Sequence, residues 1–440
     1  MTATPWGEAE ELRTQKLRPG PGKSRASVTE HQRRRLVAAT VAVVAERGYD
    51  ATRIKDIIVM AGVSRSAFYK HFSNKRECFV ASLEAVTALA GPAVLDVVDR
   101  TEGTWDVKIL ALLHALADVI VLQPAVARIG WVEVYAAGPE ALEVMERVDR
   151  AVEDIVCRAL EESSEHPGMP REIVRSTVGA VRKVTHTRVC EGRADELHDL
   201  MSEMFDWMRT YETPTEPLRR PRRVPAGLAP EPWAPRDARD RILTAVTDIV
   251  AEKGYPDMSI TEIASRASVS LTTFYAHFPG KEEAFLAALD DVQRRVFAAT
   301  APHFAAAPDW ASGVAAATHA FLGFLATHPT IAEFGSVGVW TTSPAGLELR
   351  AEGMARFRNV FDEGFRLYPD TLRRAPEAIG AAVDALLFAA LRHRRAARLY
   401  ELAPTAIFLT LAPFVGTEAA CELANAAPVT APKAIGQTTL

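Results

Sequence analysis

Apolar residues recur along this chain at spacings of three and four. Leu36, Ala39, Val43 and Val44 form one such row, the pattern of a helix with one buried face. Alternating patterns bounded by turns, which would mark strands, are missing, so the chain reads as all-α. Within residues 33–72 the pattern resolves into three helices. Arg33 to Arg47 is amphipathic, and Gly48 ends it. Ile54, Ile57, Ile58 and Ala61 give a second, short helix one buried face, and Gly62 breaks it. Ser64 can N-cap a third helix over Arg65 to Phe72. On that helix Phe68 and Phe72, four residues apart, face inward, and Arg65, Ser66, Tyr69 and Lys70 face outward.

The pattern then repeats. At an offset of 206, residues 48–72 match residues 254–278 without a gap, with Gly48/Gly254, Tyr49/Tyr255, Phe68/Phe274, Tyr69/Tyr275, His71/His277 and Phe72/Phe278 among the identities. Ser259 with Glu262 makes a capping box, and Ser270 can cap the later helix. A second block matches at an offset of 205: Pro124/Pro329, Gly130/Gly335, Val132/Val337, Val134/Val339 and Pro139/Pro344. Two matched blocks in the same order mean a duplicated module. Seven prolines between Pro214 and Pro235 rule out a regular helix there. The expected organisation is a disordered basic tail at 1–29, a helical trihelix domain at 30–80, a helical region at 81–211 and a linker at 212–237. A second trihelix domain at 238–285, a second helical region at 286–426 and a disordered tail at 427–440 follow.

Two short helices joined by a glycine-containing turn form a helix-turn-helix, whose second helix can enter the major groove. The strings GYDATRIKDIIVMAGVSRSAFYKHFSNKRE and GYPDMSITEIASRASVSLTTFYAHFPGKEE both resemble the DNA-binding domain of the tetracycline-repressor (TetR) family. The resemblance covers about fifty residues of each half and implies two tandem modules, each with an N-terminal DNA-binding domain and a C-terminal helical sensor and dimerisation region. It implies DNA contacts from Ser64, Arg65, Ser66, Tyr69, Lys70, His71 and Lys75, and from Ser270, Thr272, Thr273, Tyr275, His277 and Lys281. Thr52 and Ser259, at the start of each second helix, join the candidates. It also implies a double-stranded DNA operator and a small, partly apolar effector that controls a repressor. The family dimerises through its last two helices, so apolar rows such as Leu197, Leu200, Met201 and Met204 in the first half and Ile407, Phe408, Leu411 and Phe414 in the second suggest an intrachain pseudo-dimer, with a homodimer of chains as the rival. The linker is long enough for this: in polyproline form, at roughly 3.1 Å per residue, it reaches about 80 Å.

The two copies differ where it matters. Arg53 stands where a small N-cap is usual, so Thr52 is expected to take over. Ser268 stands where the first copy has Gly62, and Leu271 and Ala276 replace Arg65 and Lys70. If the Ser268 position needs positive φ, serine costs on the order of 1 kcal/mol. Residues 12–76 hold fifteen Lys and Arg against four Asp and Glu, while residues 236–283 hold six against eight. Affinity for nucleic acid rises with phosphate neutralisation, so the first domain is expected to be the better DNA binder. Arg219, Arg220, Arg222 and Arg223 are candidates for a basic arm serving the second.

Other chemistry is thin. The net charge is −5 and the four cysteines form no CxxC pair, which suggests a reducing compartment. The N-terminus has no apolar signal core, and the longest apolar run, near Ala406 to Val415, is too short to span a bilayer. The expectation is a cytoplasmic protein without membrane contact. His186 and Cys190 are spaced i, i+4, with no ligand set around them, so no metal, no cofactor and no catalytic group is expected. For the sensor regions His114, Trp131, Glu133, Tyr135, His319 and Trp340 are the candidate pocket residues. The competing reading is a constitutive DNA-binding or protein-binding scaffold with no ligand.

Overall fold

The computed structural model describes residues 3–8, 25–163, 166–228, 235–336, 344–356, 358–393 and 395–428. The chain divides into two units, Met1–Arg209 and Thr210–Leu440. Both are helical. Among the described residues the exception is a small antiparallel ribbon, β1 (Ala3–Thr4) with β2 (Gly7–Glu8).

In the first unit, α1 (Arg25–Arg47), α2 (Ile54–Ala61) and α3 (Arg65–His71) form the trihelix domain. Its core is Leu36, Val37, Ala39, Ile57, Ala61, Phe68 and Phe72, closed by Cys78 and Ala81 from the next helix. That helix, α4 (Lys75–Arg100), begins two residues past Ser73 with Asn74 as N-cap, its side chain accepting the Glu77 amide at 2.9 Å. Helices α5 (Trp105–Leu122), α6 (Pro124–Ala127), α7 (Pro139–Glu161), α8 (Arg171–Cys190) and α9 (Leu197–Met208) build the helical region. Between α6 and α7 lies one π-helical turn, Arg128–Glu133, at the Gly130 break marked by the sequence.

The second unit repeats the order with α10 (Ala238–Lys253), α11 (Ile260–Arg266), α12 (Leu271–His277) and α13 (Lys281–Ala305). Helices α14 (Trp310–Thr327), α15 (Pro329–Ser336), α16 (Pro344–Arg356), α17 (Arg358–Leu367) and α18 (Ala375–Arg392) follow. After a 3₁₀ stretch at Ala396–Leu402 come α19 (Ala403–Val415) and α20 (Thr417–Asn425). Phe414 gathers Trp310, Phe361, Phe365 and Tyr368 around it at ring separations of 5.0 to 6.4 Å.

Three expectations change. The N-terminal segment is ordered at both ends: residues 3–8 form the ribbon, with Trp6 packed on the trihelix core, and α1 starts at Arg25; residues 9–24 lie outside the described residues. The proline-rich stretch is not a free tether over its first half. Tyr211 is buried and its hydroxyl donates to the Leu409 carbonyl at 2.7 Å. The Arg219 amide donates to Asn425 Oδ1 at 2.8 Å, the Asn425 amide group donates to the Pro217 carbonyl at 3.3 Å, and Leu228 is buried. Residues 210–228 are therefore a strap on the second unit, with the Arg219 backbone tied to its last helix. Third, the longest apolar helix is not α19: Lys75–Arg100 is long and apolar enough to cross a membrane by length and composition, with a mean hydropathy of 1.7 over eighteen residues. Of the tail at 427–440, residues 429–440 lie outside the described residues.

Candidate nucleic-acid interface and sensor cavity

Each recognition helix is started and seated by short-range chemistry. Ser64 accepts the Ala67 amide at 3.1 Å and Ser270 accepts the Thr273 amide at 3.0 Å, satisfying an N–H that the helix leaves open. Phe68 and Phe274 are fully buried, and Phe72 and Phe278 nearly so. That anchoring leaves Ser64, Arg65, Ser66, Tyr69 and Lys70 exposed in the first copy, and Ser270, Thr272, Tyr275 and His277 in the second. His71 and Thr273 are half-buried. The Arg65 guanidinium lies 5.8 Å from the Tyr69 ring. A cation and a phenol thus share one outward edge, suited to phosphate and base-edge contacts. In the second copy Leu271, an exposed apolar side chain, holds the Arg65 position.

Thr52 does not belong to this surface. It is 1 % exposed and its hydroxyl donates to the Gly48 carbonyl at 2.7 Å. The start of α2 is Arg53, whose amide donates to Asp56 at 3.0 Å. Asp56 supplies the half of a capping box that holds the cap residue's own amide, which needs no small cap residue. Ser259 is exposed and takes the expected cap role, accepting the Glu262 amide at 3.3 Å. Lys75 and Lys281 are half-buried. Lys75 Nζ donates to the Tyr49 carbonyl at 2.7 Å and sits 4.0 Å from its ring centre; burial lowers its pKa. Lys281 donates to the Met258 carbonyl at 3.2 Å and sits 4.7 Å from the Tyr255 ring.

Sequence reasoning passed over Arg35 and Arg241, also 206 residues apart. Arg35 donates to the Ala61 carbonyl, and Arg241 to the Ala267 carbonyl at 3.0 Å. Each ties the first helix to the end of the second, fixing the turn before the recognition helix. The repeat offset itself marked them. That turn has a left-handed residue in both copies: Gly62 at φ 59° and Ser268 at φ 53°. Glycine reaches this region freely, and serine pays about 1 kcal/mol. Ser268→Gly is accordingly expected to stabilise the second domain by about 1 kcal/mol and Gly62→Ser to destabilise the first by a similar amount, as read from urea melts.

In the first unit a cavity of about 700 Å³ lies among α4, α5, α7 and α8. Its walls are apolar, with Leu83, Val86, Leu112, Leu113 and Val152 among them. Arg182 and Asp149 supply a polar end, Arg182 Nε donating to Asp149 at 2.6 Å. Burial raises the Asp149 pKa, and Arg182 opposes that rise. Trp131 lines the cavity as expected. His114, Glu133 and Tyr135 do not line it. His114 shares a hydrogen bond of 3.0 Å with Ser202 on α9. The Tyr135 ring packs edge-on against His186 at 5.2 Å. Glu133 points to Tyr49, whose amide it accepts at 2.7 Å.

In the second unit His319 is buried against Tyr400, whose hydroxyl lies 3.1 Å from Nδ1, and Trp340 lies outside the described residues. Burial lowers the His319 pKa from 6.5 to about 4. In the unfolded chain the ring takes up a proton below pH 6.5, and in the folded unit it does so only near pH 4. Stability is therefore full above pH 6.5 and lost as pH falls toward 4. Urea midpoints measured from pH 7 to 4.5 are expected to fall, and less steeply in His319→Leu.

Residues 36–82 and 242–288 each match the family model described as bacterial regulatory proteins, tetR family. No curated protein matches the chain. Solved structures that match include the fatty acid degradation regulator FadR from Bacillus halodurans, at 15 % identity and a TM-score of 0.37, covering 44 % of this chain and 96 % of that one. FadR from Bacillus subtilis, in complex with stearoyl-CoA, matches at 17 % identity and a TM-score of 0.34, over 40 % and 96 % of the two chains. NemR from E. coli, in its reduced form, matches at 18 % identity and 0.33, over 39 % and 94 %.

Proposed function

We propose, from the two tandem stretches that match the tetR-family model, that the chain is a sequence-specific transcriptional repressor released from its operator by a small molecule bound in the first unit. The observation that carries this reading is the pairing, within one unit, of an outward cationic recognition helix with a large apolar cavity. The effector is an apolar molecule with one polar end. Hydrocarbon walls supply affinity by removing apolar surface from water, and Arg182 with Asp149 orients the polar end. DNA affinity resides mainly in the first domain. The operator has two unlike half-sites, because the second domain presents Leu271 and Ala276 where the first presents Arg65 and Lys70.

The test has two arms. Duplexes enriched from a random pool on the full chain supply the operator, and its affinity is titrated at one fixed salt concentration. Thermal shift with 1-anilinonaphthalene-8-sulfonate, an apolar probe with one anionic end, then reports on the cavity, since a ligand that binds the folded state raises the melting temperature. Enrichment of no sequence would sink the regulator reading. A probe that stabilises the chain equally when Leu113→Trp fills the cavity would sink the effector site. The DNA-binding partner of the first module is proposed to be the second module of the same chain. Light scattering at micromolar concentration is expected to show a 48.0 kDa species; a stable species of twice that mass favours a dimer of chains.

A further inference from the structure

The two halves of the first unit meet through a polar contact. After α6 the chain makes a single π-helical turn, Arg128–Glu133, a rare geometry concentrated at functional sites. One side of this turn is cavity wall: Gly130 and Trp131 line it. There Arg182 donates to the Gly130 carbonyl at 3.2 Å and its guanidinium lies 5.4 Å from the Trp131 ring. His186 Nδ1 donates to the Trp131 carbonyl at 2.6 Å. The far end of the turn is Glu133, 7 % exposed. Its Oε2 accepts the Tyr49 amide at 2.7 Å and its Oε1 accepts Arg128 Nε at 3.0 Å. Tyr49 follows Gly48, where α1 ends. On its other face the Tyr49 carbonyl takes Lys75 Nζ, from the first residue of the helix that follows the recognition helix. The backbone of one residue, Tyr49, is thus held through its amide by the turn that walls the cavity and through its carbonyl by the helix that follows the recognition helix.

The geometry points to Glu133 as the residue through which occupancy of the cavity reaches the recognition helix, and to the first unit as the one that carries this control. A molecule that presses on Trp131 or draws Arg182 from the Gly130 carbonyl moves a turn only six residues long. Glu133 cannot let go of the Tyr49 amide without leaving buried polar groups unpaired, so the Gly48–Tyr49 corner moves with it. The second unit cannot make this grip with the matching residue. At the matching position, 205 residues on, stands Gly338, outside the described residues and without a carboxylate. Where the two parts of that unit meet, the Phe334 and Phe285 rings, both fully buried, lie 5.3 Å apart.

This inference rests on the effector reading of the cavity, and the experiment separates the two. In the full chain, Glu133→Ala and Arg182→Ala are each expected to weaken operator binding about tenfold, within the usual range of coupling between sites. The double variant loses no more than either alone, because both break one line of contacts. Glu133→Gln, which keeps an acceptor for Tyr49, recovers most of the loss. Additive losses, or unchanged binding in Glu133→Ala, overturn the inference. Circular dichroism of each variant excludes simple unfolding. Amide hydrogen exchange gives a readout without DNA. The Tyr49 amide exchanges faster in Glu133→Ala and in the wild-type chain saturated with 1-anilinonaphthalene-8-sulfonate, and the Tyr255 amide changes in neither. Probe that binds in the cavity and leaves Tyr49 untouched overturns the coupling while the effector site stands. Probe that never enters the cavity removes the effector reading, and the non-additive cycle then upholds the coupling by itself.

Discussion

Replacing Tyr69 and Lys70 with alanine is expected to weaken operator binding by roughly 30- to 1,000-fold, whereas Thr273→Ala with Tyr275→Ala costs under about tenfold. Both pairs stand on capped helices over buried phenylalanines, so the difference is chemical. Each good base-edge contact is worth about 1–3 kcal/mol. The first surface offers Arg65 and Lys70 around Tyr69; the second offers Leu271 and Ala276 around Tyr275. The charge surplus of residues 12–76 adds a salt-dependent term that residues 236–283 lack. Removing Lys70 alone should also flatten the slope of log affinity against log salt by about 1. Equal losses from the two double variants, titrated at the same salt, would show that both heads carry the affinity.

The largest loss of stability is expected from Phe274→Ala, about 3–5 kcal/mol. Phe274 is fully buried, with Phe278 at 6.1 Å between ring centres and Ile242, Val246 and Ile263 in the same core. Its removal leaves a cavity under a helix of seven residues, too short to hold itself. The second recognition helix should unfold locally while the first stays intact, since the two lie in separate units. Hydrogen exchange of the amides of α12 against those of α3 checks this. Protection lost equally in both helices would contradict it. The variant also isolates the second head's share of operator affinity.

The helix-turn-helix domains were legible because their rules are local and appear twice. Ser64 and Ser270 cap, Phe68 and Phe274 anchor, and the shared offset fixes the register. The suspected strain at Ser268 was legible for the same reason, since Gly62 in the first copy marked a position that needs positive φ. Thr52 misled because a hydroxyl beside a helix start has two partners within reach, and here it turned back to Gly48. The cavity was read poorly. The polar residues beside the Gly130 helix break point elsewhere, because the direction of a side chain there is set by what packs above it. Glu133 found Tyr49 and His114 found Ser202. The true polar end, Arg182 with Asp149, sits on two helices 33 residues apart, and no pattern in either helix announces the pairing. The ribbon at Ala3–Glu8 escaped notice because Trp6 is held by a core formed much later in the chain.

The strap at residues 210–228 has a consequence for synthesis. Its hydrogen-bonding partners lie 198 to 208 residues downstream, at Leu409, Cys421 and Asn425. A ribosome adds about 5–20 residues per second, so roughly ten to forty seconds separate the emergence of Tyr211 from that of its acceptor at Leu409. The first unit is complete at Arg209 and folds while this interval begins. The second unit closes last, by joining its first residues to its final two helices, and until then Tyr211 has no Leu409 carbonyl to bond and stands bare in solvent. The nascent chain thus passes through a stage with one finished unit and one unsealed one, when a chaperone has apolar surface to hold.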